Sequence, residues 1–241
     1  WLRTGDVFER AANGYYQIVD RIKDIYKNNR GQTVAPRKVE DKFAGVPGIK
    51  RTFLVGDGRP YNVLFIVPDE SDLVLAGGPG EGNAREYFRR IVTAANDGLA
   101  PYERVVNFEV LERDFSPDRG ELTPKGSYNR KKILEAFADA VEGLYRRSAV
   151  ELPGPGIRIS IPRWFFRDLG ILEDEIVSRR GGLRDLNRGL SLPVRRGADE
   201  RTWLVGDLEY GISGDVLDLG VFARQPVLWA GNPSLAAYSP V

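Results

Sequence analysis

The chain has no cysteine. Disulfides, thiol catalysis and thiolate metal sites are therefore excluded, and the absence fits a reducing compartment. An excess of charge is missing too: 35 basic against 34 acidic residues leave a formal charge of +1. That offers no extended field for a nucleic-acid backbone, and nucleic acid is set aside as a partner. Long apolar runs are also lacking. Stretches such as Val63-Leu64-Phe65-Ile66-Val67 are far too short to cross a bilayer, and no signal-like segment opens the chain. The expectation is a soluble, cytoplasmic protein. Methionine and histidine are absent as well, and the chain opens at Trp1 inside what has the look of a motif, so it reads as a piece of a longer protein.

What is present is ordinary for a globular protein. With 241 residues, 42% of them hydrophobic and 29% charged, the chain is long enough for one large domain or two ordinary ones with real cores. The organising stretch is Val19-Asp20-Arg21-Ile22-Lys23-Asp24. Before it, Val7-Phe8-Glu9 and Tyr15 to Val19 read as a hairpin turned by Asn13-Gly14, and after it a new run of strand character begins. Asp20-Arg21 is thus a charged seam and a candidate hinge, although the same residues also fit a strand face laced with surface ion pairs. Asp6, on its spacing alone, reads as a solvated turn carboxylate.

Further along, Ile25 to Lys27 leads into the polar loop Asn28-Asn29-Arg30-Gly31-Gln32, where a glycine is free to take positive φ. Pro36 suits a first helical position, with a short helix from Arg37 to Phe43. Ile49 to Val55 and Asn62 to Val67 read as strands joined by Gly56-Asp57-Gly58-Arg59-Pro60. The Gly77-to-Gly82 run lacks the Lys-Ser/Thr of a phosphate loop and reads as a connector. A helix from Asn83 aligns Tyr87, Phe88, Ile91, Val92, Ala95 and Leu99 on one face. Val105 to Leu111 is a strand, and a second long helix from about Asn129 to Arg147 buries Ile133, Leu134, Phe137, Val141, Leu144 and Tyr145.

Several short motifs stand in a fixed order: Thr4-Gly5-Asp6, Asp20-Arg21-Ile22-Lys23-Asp24, Arg30-Gly31, Ala35-Pro36 through Glu40, and Leu122-Thr123-Pro124. This series resembles the AMP-forming acyl-CoA synthetases, adenylate-forming enzymes that activate carboxylic acids, over residues 1 to about 147. The Val55-Gly56-Asp57-Gly58-Arg59-Pro60 string makes the long-chain fatty acyl branch the better match. Strands interleaved with amphipathic helices predict an α+β fold, which the resemblance makes a small lid domain with a three-stranded sheet and packed helices; the tail after it reads from its residues as a mostly β accessory domain. The resemblance divides the part it covers into residues 1–19 (a hairpin ending a large adenylation domain) and 20–148 (the lid), which leaves 149–241 as an accessory part of unknown role. It implies a ligase that adenylates a fatty acid with ATP and then forms a thioester with CoA, although this fragment alone is inactive.

In that resemblance Asp6 and Arg21 hold the ribose of ATP and of the acyl-adenylate, and Asp20 is the hinge. Arg30 and Gly31 belong to the loop that lines the CoA tunnel. A lysine after Leu-Thr-Pro meets the carboxylate and α-phosphate, where a fixed cation is worth most. In the usual pattern that lysine falls at Ser127. Here Lys125 stands two residues earlier, and in an extended segment it would face the same way; the competing reading is a solvated turn lysine. Arg130, Lys131 and Lys132 read as a positive helix start or a landing site for the phosphates of CoA.

The implied partners are the fatty acid, CoA and the N-terminal adenylation domain of the same polypeptide, which would hold most of the Mg2+. This chain itself supplies no metal ligands. Further expectations are a peripheral membrane contact and a carrier protein, the latter for a ligase that loads acyl groups onto a carrier. A non-catalytic binding or regulatory protein with a degenerate lid is the other alternative. Beyond Pro153-Gly154-Pro155-Gly156, read as a boundary, the resemblance stops. There Ile157 to Ile161, Trp203 to Val205, Val216 to Phe222 and Val227 to Trp229 read as β-like runs, and Pro162 to Leu169 as an amphipathic helix. Arg179-Arg180-Gly181-Gly182 and Arg195-Arg196-Gly197 read as solvated loops, with a phosphate or carrier-protein contact as the minority option.

Overall fold

The computed structural model describes residues 4–75, 84–179 and 181–237. The opening Trp1-Leu2-Arg3, the Gly77-to-Gly82 run and Arg180 of the first arginine pair lie outside the described residues. The chain divides into two compact units, Trp1–Arg146 and Arg147–Val241.

The first unit begins with the expected hairpin. Strands β1 (Asp6–Arg10) and β2 (Tyr16–Arg21) pair antiparallel across a turn in which Gly14 takes φ +85°, as an Asn-Gly turn requires. The register slips beside Val7, so that Phe8 faces Ile18 while Val7 faces Asp20; one residue of β2 is left over as a bulge immediately before Asp20. The hairpin exposes an unusual set of large apolar side chains: Phe8, Tyr15, Tyr16 and Ile18, with Ile22 just beyond.

A second, minimal hairpin joins β3 (Tyr26–Lys27) to β4 (Thr33–Val34). Helix α1 (Pro36–Glu40) starts on proline as expected, and a 3-10 turn at Asp41–Phe43 ends it. The centre of the unit is a three-stranded sheet ordered β5 (Ile49–Val55), β6 (Asn62–Pro68), β7 (Val105–Val110). β5 and β6 are antiparallel neighbours. β6 and β7 are parallel, so the chain must cross over between them. Helices α2 (Glu70–Leu75) and α3 (Ala84–Asn96) lie in that crossover.

Asn62 through Val67 are all buried, the mark of a central strand covered on both faces. The stripe of α3 buries Phe88 and Val92, and one position the apolar pattern did not flag, Asn96. Its amide takes the place of a strand: Nδ2 donates to the Val105 carbonyl and Oδ1 accepts from the Val105 N–H, at 2.8 and 2.9 Å.

The expected single helix over residues 129–147 is two, α4 (Arg130–Ala136) and α5 (Ala138–Tyr145), broken at Phe137 with φ −114°. The Phe137 ring explains the break. It is held between Phe65 and Phe115, with centroids 5.7 and 5.8 Å away, and the Arg113 guanidinium lies 4.3 Å over it.

The second unit is mostly β. A three-stranded sheet is ordered β15 (Val216–Asp218), β9 (Arg158–Pro162), β8 (Ala149–Pro153). A five-stranded antiparallel meander runs β10 (Ile176–Arg179), β11 (Gly182–Asp185), β12 (Ser191–Arg196), β13 (Thr202–Val205), β14 (Leu208–Gly211). The Pro153-to-Gly156 segment is the turn of the β8–β9 hairpin, with the Gly154 N–H bonded to the Ile157 carbonyl, rather than a boundary. Helix α6 (Arg163–Leu169) is where the sequence placed it, and Gly170 closes it at φ +76°.

Two β-like runs are corrected. Val216 to Phe222 is strand only to Asp218, whose carboxylate caps α7 (Leu219–Arg224). Val227 to Trp229 lies in the helical turn α8 (Pro226–Trp229), started by Pro226. A last turn, α9 (Pro233–Ala236), is capped by Asn232. Among the described residues no helix is long and apolar enough to cross a membrane.

Candidate functional site

The β1–β2 hairpin places Asp6 directly opposite Arg21, and their side chains form an ion pair with Nε 3.7 Å from Oδ1. The carboxylate is an acceptor with two oxygens, and the guanidinium keeps further N–H donors pointing to solvent. Such a pair can take both hydroxyls of a vicinal diol on the acid while the arginine donates to a ring or phosphate oxygen.

Asp20 is not at a seam between strands: β2 runs through it to Arg21. Its side chain is buried and accepts two backbone N–H bonds, from Arg21 at 2.7 Å and from Arg37, in the first turn of α1, at 2.9 Å. The chain turns after it, over Ile22 to Asp24, where Ile22 and Lys23 are exposed.

A groove of about 380 Å³ opens beside this turn, lined among others by Asp20, Arg21, Arg37, Lys50, Arg51 and Ser127. Its floor is an ion pair. Glu40 and Arg130, both largely buried, meet at 2.7 and 2.8 Å. Burial pushes the Glu40 carboxyl up from its ordinary range, against the pull of the Arg130 guanidinium. Arg130 is stacked over the Phe53 ring at 4.8 Å and also donates to the Leu54 carbonyl, so it is not a free landing site for phosphate. Lys132 is paired with Glu135. Lys50 and Arg51 share Asp114 at 3.0 and 3.1 Å. Tyr128, whose hydroxyl donates to the Thr52 carbonyl, is pushed up to about 12, first by burial and then by the charge of Glu40.

Lys125 sits in a tight turn, not in an extended segment. The Thr123 N–H bonds the Ser127 carbonyl, the Gly126 N–H bonds the Thr123 carbonyl, and Gly126 takes φ +78°. Pro124 and Gly126 at those positions are the turn signal. The argument that residues 125 and 127 face the same way therefore fails: Ser127 lines the groove and Lys125 does not. Lys125 is exposed at the turn tip and, among the described residues, has no ion-pair partner.

Arg30 and Gly31 are elsewhere. Buried Asn28 organises their loop by accepting from the Arg30 and Gln32 N–H groups, both at 3.0 Å. Asn29 ties it to the Arg59 carbonyl. Gly31, at φ +78°, has nothing within 4 Å of where a Cβ would stand, so bare backbone faces outward. Neither this groove nor a second one of about 670 Å³, lined by Ile25, Phe53, Leu134 and Val141, includes Arg30 or Gly31. Among the described residues no group of three or more carboxylates gathers as a cation cage. Sequence reasoning missed the Glu40–Arg130 pair; a lone acid and a lone cation ninety residues apart carry no signal of partnership.

The model of the AMP-binding enzyme C-terminal domain matches residues 23–149. The long-chain-fatty-acid–CoA ligase FadD15 of Mycobacterium tuberculosis is 29% identical over 160 residues, which is 61% of this chain and 27% of that protein. Human long-chain-fatty-acid–CoA ligase 1 is 29% identical over 159 residues, 60% of this chain and 23% of that one. The chain thus spans about a quarter of the length of these curated relatives. Among solved structures, the adenylation domain of a carboxylate reductase from Mycobacterium chelonae superposes with a TM-score of 0.51 at 25% identity, over 60% of this chain and 23% of that one. With the family model covering more than half of the sequence and the motif residues standing in order along one α+β unit, this chain belongs to the AMP-binding enzyme C-terminal domain family.

Proposed function

We propose that this chain is the C-terminal portion of an AMP-forming long-chain fatty acid–CoA ligase working in the cytoplasm. The reaction is carboxylate plus ATP giving acyl-adenylate and pyrophosphate, followed by attack of the CoA thiol to give acyl-CoA and AMP. The observation that carries the reading is the Asp6–Arg21 pair at the edge of the polar groove, immediately ahead of the matched family region. Asp6 accepts from the ribose hydroxyls and Arg21 donates beside them. Lys125, on its exposed turn tip, reaches the carboxylate and α-phosphate while pyrophosphate leaves. Arg30 and Gly31, outside the lining of that groove, form the face that meets the thiol arm. ATP brings its Mg2+ to the partner domain, and no step here is assigned to the metal.

The domain reading is residues 1–19 as the end of the large adenylation domain, 20–148 as the lid and 149–241 as an accessory unit. Exposed Phe8, Tyr15, Tyr16 and Ile18 support it, since apolar side chains gathered on one hairpin suit burial against a larger body. The pivot lies at Asp20 and the Ile22–Asp24 turn that follows it. A second reading, a non-catalytic lid, draws on Ser127, because a hydroxyl rather than an ammonium faces the groove.

The test is fatty-acid-dependent pyrophosphate exchange by the full-length protein. Lys125→Ala should lower the rate by roughly 10²-fold, on the scale of losing one group that stabilises developing charge. Unchanged exchange would remove Lys125 from the role. Absence of exchange in the unmodified protein would favour the non-catalytic lid.

A further inference from the structure

The second unit is the part of the chain that the proposed reaction leaves unused, and its charge is distributed in one distinctive way. Lys132 is the last lysine, so every basic residue of the unit is an arginine. Strand pairing sorts these arginines into faces. Arg179, Gly182 and Pro193 stand in one row across β10, β11 and β12, and Val177, Arg184 and Ser191 stand in the next. Along β12 the alternation carries Pro193 to Arg195, which faces Leu204, which in turn faces Glu209. Arg179, Arg184 and Arg195 therefore share one face of the five-stranded sheet.

All three are exposed, whereas Leu183, Leu192, Val194 and Val205 of the opposite face are buried. Among the described residues none of the three has a side-chain ion pair or hydrogen bond, although the unit pairs Arg158, Arg163, Arg167 and Arg188 with carboxylates. The only carboxylate among the described residues of that face is Glu209, two strands beyond Arg184's neighbour β12. At the centre the floor is glycine. Arg195 Nε lies 3.9 Å from where a Gly181 Cβ would stand, and Gly182 adds no side chain between Arg179 and Pro193. Half-buried Val177, Pro193 and Leu204 lie between the arginines.

We propose that this face docks an acidic protein surface. Three unpaired guanidiniums on neighbouring strands, with a glycine hollow and short apolar side chains between them, match carboxylates presented from a protein helix or loop. Each fork can take a carboxylate in bidentate fashion, which an ammonium cannot do. A lipid surface fits less well, because among the described residues no aromatic side chain or lysine stands on the face to anchor in the interface. Nucleic acid fits less well too, since three cations make no extended track for a phosphate backbone.

The experiment uses the full chain with poly-L-glutamate as the probe, titrated at low and at physiological salt. Inorganic phosphate, phosphatidylglycerol vesicles and a single-stranded oligonucleotide serve as comparison arms. Poly-L-glutamate should bind, weaken as salt rises, and bind about tenfold more weakly to the Arg179→Ala, Arg184→Ala, Arg195→Ala triple variant. The corresponding triple lysine variant, which keeps the charge, should also bind less well. On the unmodified protein, poly-L-glutamate should protect these three arginines from phenylglyoxal and leave the exposed Arg119 reactive, a readout that does not depend on any variant folding. Equal binding by the alanine variant, protection of other arginines instead, or tighter binding of vesicles or the oligonucleotide would overturn the proposal.

Discussion

Glu121 illustrates how a single residue fixes the approach to the turn that carries Lys125. Its side chain is buried and accepts two bonds from Arg113, at 2.6 and 2.8 Å, and one from the Ser116 N–H at 2.8 Å. The hydrogen bonds from Arg113, aided by Ser116, outweigh burial and hold its carboxyl below the usual range. A carboxyl depressed in the folded state stabilises the fold above the unfolded value of ~4.3, and that contribution fades as pH falls through the folded value. Glu121→Gln should therefore cost about 2–3 kcal/mol near neutral pH, and the difference from the parent should shrink steadily as unfolding by urea is repeated below about pH 4. A constant difference down to pH 3 would show that the charge of Glu121 is not what stabilises this loop. The same scale separates Lys125 from the cations around it, because Arg130, Lys132, Lys50 and Arg51 are each occupied by a carboxylate.

At the level of elements, β5 is the outer strand of the central sheet, and its free edge is covered by side chains. The Thr52 carbonyl accepts from Tyr128, the Leu54 N–H donates to Glu40, and the Leu54 carbonyl accepts from Arg130. This closes an edge that would otherwise pair with another strand. Arg130→Ala would leave the Glu40 carboxylate buried without its partner and should destabilise the first unit by roughly 3–5 kcal/mol. Combining it with Glu40→Gln should restore part of that loss in chemical denaturation, and no restoration would mean the arginine acts through packing on Phe53 alone.

The hairpins and the α3 stripe were legible because Asn-Gly, Gly-Asp-Gly and a 3.6-residue period are local signals. The break at Phe137 was not, since an apolar residue in phase with its helix gives no hint that distant rings hold it off the helical path. The turn around Lys125 could have been read from Pro124 and Gly126, but the motif order drew attention to reach rather than to backbone shape. Asp6 and Arg21 were singled out as a pair, but as partners across a hinge, whereas they are cross-strand neighbours of one hairpin. In the second unit the runs 219–222 and 227–229 are apolar enough for a strand, and only the capping Asp218 and Pro226 turn them into helix.

Across the whole chain, the two units each enclose their own core: Phe53, Phe65, Phe88 and Phe108 in the first, Ile159, Phe166, Leu192 and Val205 in the second. A protein cut after Arg146 should therefore keep cooperative thermal unfolding of its first unit, with a midpoint shifted by no more than about 5 °C. A broad, non-cooperative melt would show that the division is not one of stability. The bond from Asp20 to the Arg37 N–H has a consequence on this scale. It spans the proposed pivot, one end on the strand that precedes the turn and the other on the helix that follows it. In the function proposed above, a swing of the lid would stretch that clasp, so the carboxylate would work as a detent holding this pose, and the energy to leave it would have to come from the contacts that the new pose gains.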